Sequence, residues 1–151
     1  KDLARDLIDP LRRAQAVAVA TGRKVSRTTQ YVVGPAGESD RDILTTTQRL
    51  YREVGLARAY YSAFRPIPDT PLDGLPGEDP VRQHRLYQAD FLLRQYRFDL
   101  ADMAFDSAGR LDLRQDPKLA WARRHPEAFP VEVNRASRGV LLRVPPAPHV
   151  R

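Results

Sequence analysis

Apolar residues recur along the chain in two rhythms, and the switch between them marks out the elements. Residues 3–20 place Leu3, Leu7, Leu11, Ala14 and Ala18 at helical spacing, with Pro10 expected to kink that helix or split it in two. A polar turn centred on Gly22 follows. The run Thr29–Gly34 (TQYVVG) is short, β-branched and aromatic, which predicts a strand. Ser39 and Asp42 are spaced as a capping box for a helix whose Ile43, Leu44, Thr47, Leu50, Tyr51 and Val54 share one face. That helix is expected to stop at Gly55, and Arg58–Phe64 reads as a second strand. Strand, helix, strand is a βαβ unit, so the two strands are expected to be parallel neighbours. The loops Pro35–Ser39 and Arg65–Asp79 then open on one edge of the sheet, where function collects in α/β folds. The second loop carries Pro66, Pro68, Pro71 and Pro76 with Gly74 and Gly77, making it long yet stiff.

The stretch Glu78–Tyr96 (EDPVRQHRLYQADFLLRQY) predicts the helix around which the rest is arranged, with Asp79 as cap and Pro80 in the first turn. Leu86, Ala89, Leu93 and Tyr96 share one face, flanked by Leu92 and Arg85. The opposite face carries His84, Tyr87, Gln88, Phe91 and Gln95, aromatic rings among hydrogen-bonding groups. Either this is a core helix with an ordinary amphipathic edge, or the helix packs on a scaffold with one face and lines a site with the other. Asp116–Arg124 predicts a further helix, capped by Asp116 and anchored by Trp121. A short one follows Asn134, with Ala136, Val140, Leu141 and Val144 apolar.

Composition narrows the function. A chain of 151 residues, 42% hydrophobic, buries a core and forms one domain or part of a larger one. Residues 1–64 carry 11 basic and 7 acidic side chains, residues 65–110 carry 6 and 8, and residues 111–151 carry 8 and 4. The net charge of +6 therefore sits at the two ends, which suits a phosphate-bearing partner or is idle surface charge. With no cysteine, a disulfide framework and a zinc–thiolate site are excluded. No apolar run approaches the roughly 20 residues of a membrane span, and no signal peptide opens the chain. A cytoplasmic location is expected. The chain opens at Lys1 inside a helical pattern, as a fragment of a longer protein would.

Three groups of residues are candidates for chemistry. Gly34, Gly37, Glu38 and Ser39 form a loop at a helix N-terminus, whose amides suit an anion and whose Glu38 could accept from a ribose or an amino group; the plainer reading is a turn chosen for its geometry. Ser62 and Arg65 come at the end of the second strand. Alternation puts Tyr60, Ser62 and Phe64 on one face, a barrel lining with Arg65 at its mouth, or simply a packed strand before a surface arginine. His84, Arg85, Tyr87 and Gln88 make the third group, with His84 and Gln88 spaced to read a base edge or a substrate. His84 has no second ligand at metal spacing, and His125 and His149 do not complete a set. A Schiff-base barrel enzyme needs a strand-end lysine; Lys1, Lys24 and Lys118 are not so placed.

The words GESDRDIL, LYREVGLARAYYSAFRP, HRLYQADFLLRQY and DPKLAWARRHPEAFPVEVNRASRGVLLRVP, in this order from Thr29 to Val144, resemble a family of bacterial DNA modification/repair radical S-adenosylmethionine proteins. Genes of that family tend to accompany a uracil-DNA-glycosylase-like partner. The resemblance implies an α/β fold: residues 1–110 as the closing part of a radical S-adenosylmethionine-type barrel, and residues 111–151 as the first half of a helix–hairpin–helix module. It implies S-adenosylmethionine near Gly34, Gly37, Glu38, Ser39, Ser62 and Arg65. It also implies a four-iron, four-sulfur cluster bound by three cysteines that this chain lacks. In the family, a Gly-containing hairpin follows the run like LLRVP, and its amides hold a DNA phosphate. Here Pro146 and Pro148 stand where the family has glycines, and proline has no N–H to offer. Nucleic acid, DNA above all, is the expected partner. Its expected contacts are Lys118, Arg123, Arg124, Asn134, Arg135, Arg138 and Arg143, with Asn134 capping the module's first helix. The alternative is a non-catalytic nucleic-acid-binding module, or a remnant without the cluster.

Overall fold

In the computed structural model, residues 2 and 4–145 are described; Leu3, Pro146, Pro148 and His149 lie outside them. Strand β1 (Thr28–Val33) and strand β2 (Arg58–Ala63) pair in parallel, from Thr28 opposite Arg58 to Val33 opposite Ala63. Helix α2 (Asp40–Val54) makes the crossover, so the expected βαβ unit is present. Both halves of the α2 capping box form: Ser39 Oγ accepts from the Asp42 N–H at 3.1 Å, and Asp42 accepts from the Ser39 N–H at 3.1 Å. Gly55 ends α2 at φ 57°, a left-handed conformation that costs a glycine little.

Preceding the sheet, helix α1 (Asp9–Ala20) starts after a π-helical turn, Ala4–Ile8, with Pro10 in its first turn, so the proline does separate two pieces. The buried residues of this segment are Ile8 and Ala18. The expected stripe gave Ala18 but missed Ile8, because the π turn shifts the spacing ahead of Pro10. Helix α3 (Pro80–Gln95) is capped by Asp79, which accepts from the Val81 N–H at 2.8 Å. Helix α4 (Pro117–Arg124) starts on Asp116, which accepts from the Leu119 N–H at 2.9 Å. Helix α5 is only Arg138–Leu141, and its cap is Ser137, not Asn134. Asn134 is exposed in a turn built on Glu132, to whose carboxylate it donates its N–H. Ser137 stands next to the first helical residue, where a hydroxyl reaches the free amides.

Along β2 the burial alternates, with Ala59, Tyr61 and Ala63 inward and Tyr60 exposed. One core joins Ala59, Tyr61 and Val33 to Ile43, Leu44, Leu50 and Val54 of α2 and Leu86, Ala89 and Leu92 of α3. Leu44, Leu50 and Leu86 are sealed from solvent, each stabilising the fold by about 2–3 kcal/mol. Tyr61 is stacked on Tyr31 at 5.7 Å and meets Tyr87 edge-on at 5.2 Å. Beyond α3, Trp121 anchors α4 as expected, packing against Phe98 at 5.5 Å and His125 at 4.5 Å.

The two edges of the sheet are treated differently. Away from β1, the N–H groups of Ala59, Tyr61 and Ala63 donate to Tyr51 Oη (3.1 Å), Tyr87 Oη (3.1 Å) and Gln83 Oε1 (2.8 Å). Side chains thus seal the β2 edge. On β1 the register turns the peptide groups of Thr28, Gln30 and Val32 outward, and nothing among the described residues pairs with them. The face of the sheet opposite the core is also open, with Val32 55% and Tyr60 40% exposed.

Candidate functional site

Two places gather the chemistry. The first is the C-terminal edge of the sheet, where the loop after β1 meets the start of α3. Gly34 has φ 116°, and a Cβ there would come within 2.8 Å of Glu78 Oε2. Its N–H donates to Glu38 Oε1 at 2.5 Å, and Ser39 is engaged with Asp42 through both its N–H and its hydroxyl. Gly37 closes a turn by donating to the Gly34 carbonyl. The amides of Gly34, Gly37 and Ser39 are therefore met by the protein's own oxygens. Glu38 Oε2 is buried without a hydrogen-bond partner, an acceptor suited to an ammonium or amino donor. Ser62 is half-buried on the open face of the sheet, and Arg65 is exposed beyond the strand end.

Behind this loop lies an ion cluster that the sequence reading missed. Arg82 is 1% exposed; its Nε donates to Asp40 Oδ1 at 2.7 Å, its Nη2 to the Glu38 carbonyl at 2.7 Å, and its Nη1 to Glu78 Oε2. Asp40 Oδ2 accepts from the Leu111 N–H at 2.7 Å, and Arg110 approaches Glu78 at 3.6 Å. Burial alone would lower the Arg82 pKa, but Asp40 and Glu78 outweigh it and raise it. Burial pushes Glu78 upward, yet Arg82, the Asp79 N–H and Arg110 together hold it below the usual glutamate value. The cluster ties the loops after both strands to the start of α2 and α3, and a cavity of about 710 Å³ opens beside it.

The second place is a cleft of about 690 Å³ between α3 and α4. Of the third candidate group it takes in His84, Tyr87 and Gln88, and it adds Lys118 from α4. Sequence reading missed its remaining cations, Arg58 from β2 and Arg94; Phe91 comes from the face expected to line a site, whereas Tyr96 was expected on the apolar face. The polar face of α3 brings His84, Tyr87, Gln88 and Phe91 to the cleft because its apolar face is spent on β2 and α2, while Tyr96 enters from the C-cap of α3. Phe91 is 46% exposed and meets Tyr96 edge-on at 5.2 Å. Lys118 Nζ lies 4.7 Å over the Tyr96 ring, and Arg58 lies 5.1 Å over Tyr60. Burial lowers the Lys118 pKa, with Asp116 countering in part. Arg94 is neutralised by Asp90 at 2.9 Å, while Asp116, the cap of α4, keeps one negative charge at the cleft wall. Arg58 and Lys118 have no carboxylate in ion-pair range among the described residues, which leaves the cleft cationic.

The other predicted contacts are scattered. Arg85 does not line the cleft; it donates to Gln88 Oε1 (2.8 Å) and to the Leu113 carbonyl (2.9 Å). Tyr87 lines the cleft, but its hydroxyl serves the β2 edge. Arg123 donates to Gln115 and Arg124 to the Met103 carbonyl. Arg143 pairs with Asp102 at 3.3 Å and lies over Phe98 (4.6 Å) and Trp121 (4.8 Å), holding the C-terminal segment to the body. Asn134, Arg135 and Arg138 are exposed.

With no cysteine in the chain and no metal-binding group of histidines and carboxylates among the described residues, these residues do not fit an iron–sulfur cluster. Among the described residues, no helix is long and apolar enough to cross a membrane. No family model matches the chain, and no solved structure matches it.

Proposed function

We propose that this chain closes the α/β barrel of a DNA modification or repair protein of the radical S-adenosylmethionine type, and that it contacts nucleic acid there. The observation that carries this reading is the asymmetry of the sheet. Parallel sheets are normally covered on both faces, yet here one face and one edge are finished while the others are open. Tyr51, Gln83 and Tyr87 close the β2 edge as the last strand of an open barrel requires. The outward peptide groups of Thr28, Gln30 and Val32 suit a further parallel strand. Tyr60 and Ser62 would then line the interior, with Arg65 at its mouth.

In this reading the cluster would be held by residues outside this chain, and radical chemistry would be what the cofactors contribute when bound. The chain's own part is to bind. Glu38 Oε2 would accept from the amino group of S-adenosylmethionine, since it is buried without a partner and the amides of Gly34, Gly37 and Ser39 are already taken. The cationic α3–α4 cleft and the exposed Arg135 and Arg138 favour a second reading, a nucleic-acid-binding module without catalysis.

The assay compares the complete gene product that contains this chain, reconstituted with iron and sulfide under anaerobic reducing conditions, with the 151-residue chain treated alike. The complete product is expected to cleave S-adenosylmethionine reductively, and the isolated chain is expected to be inert. Cleavage by the isolated chain, or none by the complete product, contradicts the enzyme reading. DNA binding without cleavage leaves the binding module.

A further inference from the structure

We infer that the α3–α4 cleft seats a single nucleotide unit, its base against Phe91 and Tyr96 and its phosphate at Lys118 and Arg58. The inference rests on the nucleic-acid reading above and deepens it by stating the form of the ligand: an unpaired nucleotide rather than a duplex.

Three features of the cleft select this ligand. The first is an aromatic wall left open to solvent. Phe91 points outward from a helix whose other side has a large apolar core to join, and its exposed ring is braced by Tyr96 at 5.2 Å. Aromatic rings in such a setting take a base by its face, whatever its sequence. The second is an excess of cationic charge: Asp116 offsets Lys118 only in part, and neither Lys118 nor Arg58 has an ion pair among the described residues. Lys118 is held over the Tyr96 ring of the wall, and Arg58, which lies over Tyr60, lines the same cleft. A ligand that carries an anion adjoining an aromatic system satisfies both at once. The third is size. About 690 Å³ is the scale of a small-ligand site, and a base can reach such a wall only after leaving its stack. At the rim, His84 and the amide nitrogen of Gln88 offer hydrogen bonds to a base edge; Gln88 Oε1 is already held by Arg85.

The same chemistry could arrive as part of a single strand or as a free nucleotide, and the test separates them. The full 151-residue chain is titrated against a fluorescein-labelled oligothymidylate by anisotropy over a range of salt concentrations. A duplex of equal length and unlabelled thymidine monophosphate serve as competitors. Single-stranded DNA is expected to bind more tightly than duplex. Phe91→Ala is expected to weaken binding about tenfold, the scale of one lost stacking contact. Lys118→Gln is expected to weaken it and to lower the salt slope by about 0.7, one phosphate contact on a single strand, while Lys118→Arg retains most of the affinity.

Phe91 is exposed and Lys118 has no ion pair among the described residues, so both variants are expected to melt like the parent, which circular dichroism checks. Displacement by the monophosphate assigns the free nucleotide as a source. Strand binding that it does not displace, but that both substitutions weaken, assigns the strand. Binding that survives both substitutions, or equal affinity for duplex, overturns this inference while leaving the nucleic-acid reading intact. Loss of all nucleic-acid binding in the parent chain overturns both.

Discussion

Arg82 lies on the same stripe of α3 as Leu86, Ala89 and Leu93, and Asp40 lies on the stripe of α2 that carries Ile43, Leu44 and Thr47. Two opposite charges in register with the apolar faces of neighbouring helices were therefore visible in the sequence. The reading that fixed on Arg85, at the edge of the stripe, passed over Arg82 at its centre. Because the ion pair is buried, removing one partner strands the other. Arg82→Ala is expected to cost about 3–5 kcal/mol in urea unfolding, while an apolar replacement of both Arg82 and Asp40 should recover only part of that, because the Leu111 N–H and the Glu38 carbonyl lose their partners. Glu78 adds a pH dependence. Its folded pKa lies below the ordinary 4.5, so its contribution is complete above that value and is lost as pH falls through the folded pKa. Glu78→Gln should flatten the acid limb of a stability–pH curve; an unchanged limb would place the acid sensitivity elsewhere.

At the scale of elements, α3 does two jobs with two faces. Its apolar side fills the core, and its polar side supplies Gln83 and Tyr87 to the β2 edge before running on into the cleft. The existence, type and caps of α2, α3 and α4 were legible because serine, aspartate and proline stood at the right positions. What was not legible was the use of the tyrosines. Nothing in helical periodicity says that Tyr87 Oη will accept a strand amide, since that depends on where β2 lies beneath α3. Tyr87→Phe should leave the Tyr61 amide without its acceptor, costing about 1–3 kcal/mol and speeding hydrogen exchange at Tyr61. Exchange as slow as in the parent would show that the β2 edge is protected by another means. The cap of α5 was misplaced onto Asn134 because two capping residues compete within four positions, and Ser137 is the one adjoining the helix.

For the whole molecule, strand order and direction followed from the spacing of β1, α2 and β2, while the unequal treatment of the two sheet edges emerged only from the hydrogen bonds. That asymmetry, together with an uncovered face holding Val32 and Tyr60, joins the fold to the proposed function, in which the chain would supply a finishing strand beside its sealed border and cationic cleft. The basic excess at the two ends of the sequence turned out to be only partly available. Arg143 is bound to Asp102 and Arg123 to Gln115, whereas Arg58 and Lys118 stand ready in the cleft. The most direct test of the central claim is to read the gene in frame upstream of the Lys1 codon. A Cys-x-x-x-Cys-x-x-Cys motif followed by alternating strands and helices is the predicted result, with the last of those strands available to pair with β1. A start codon immediately before Lys1 would contradict it and leave a nucleic-acid-binding module without a radical centre.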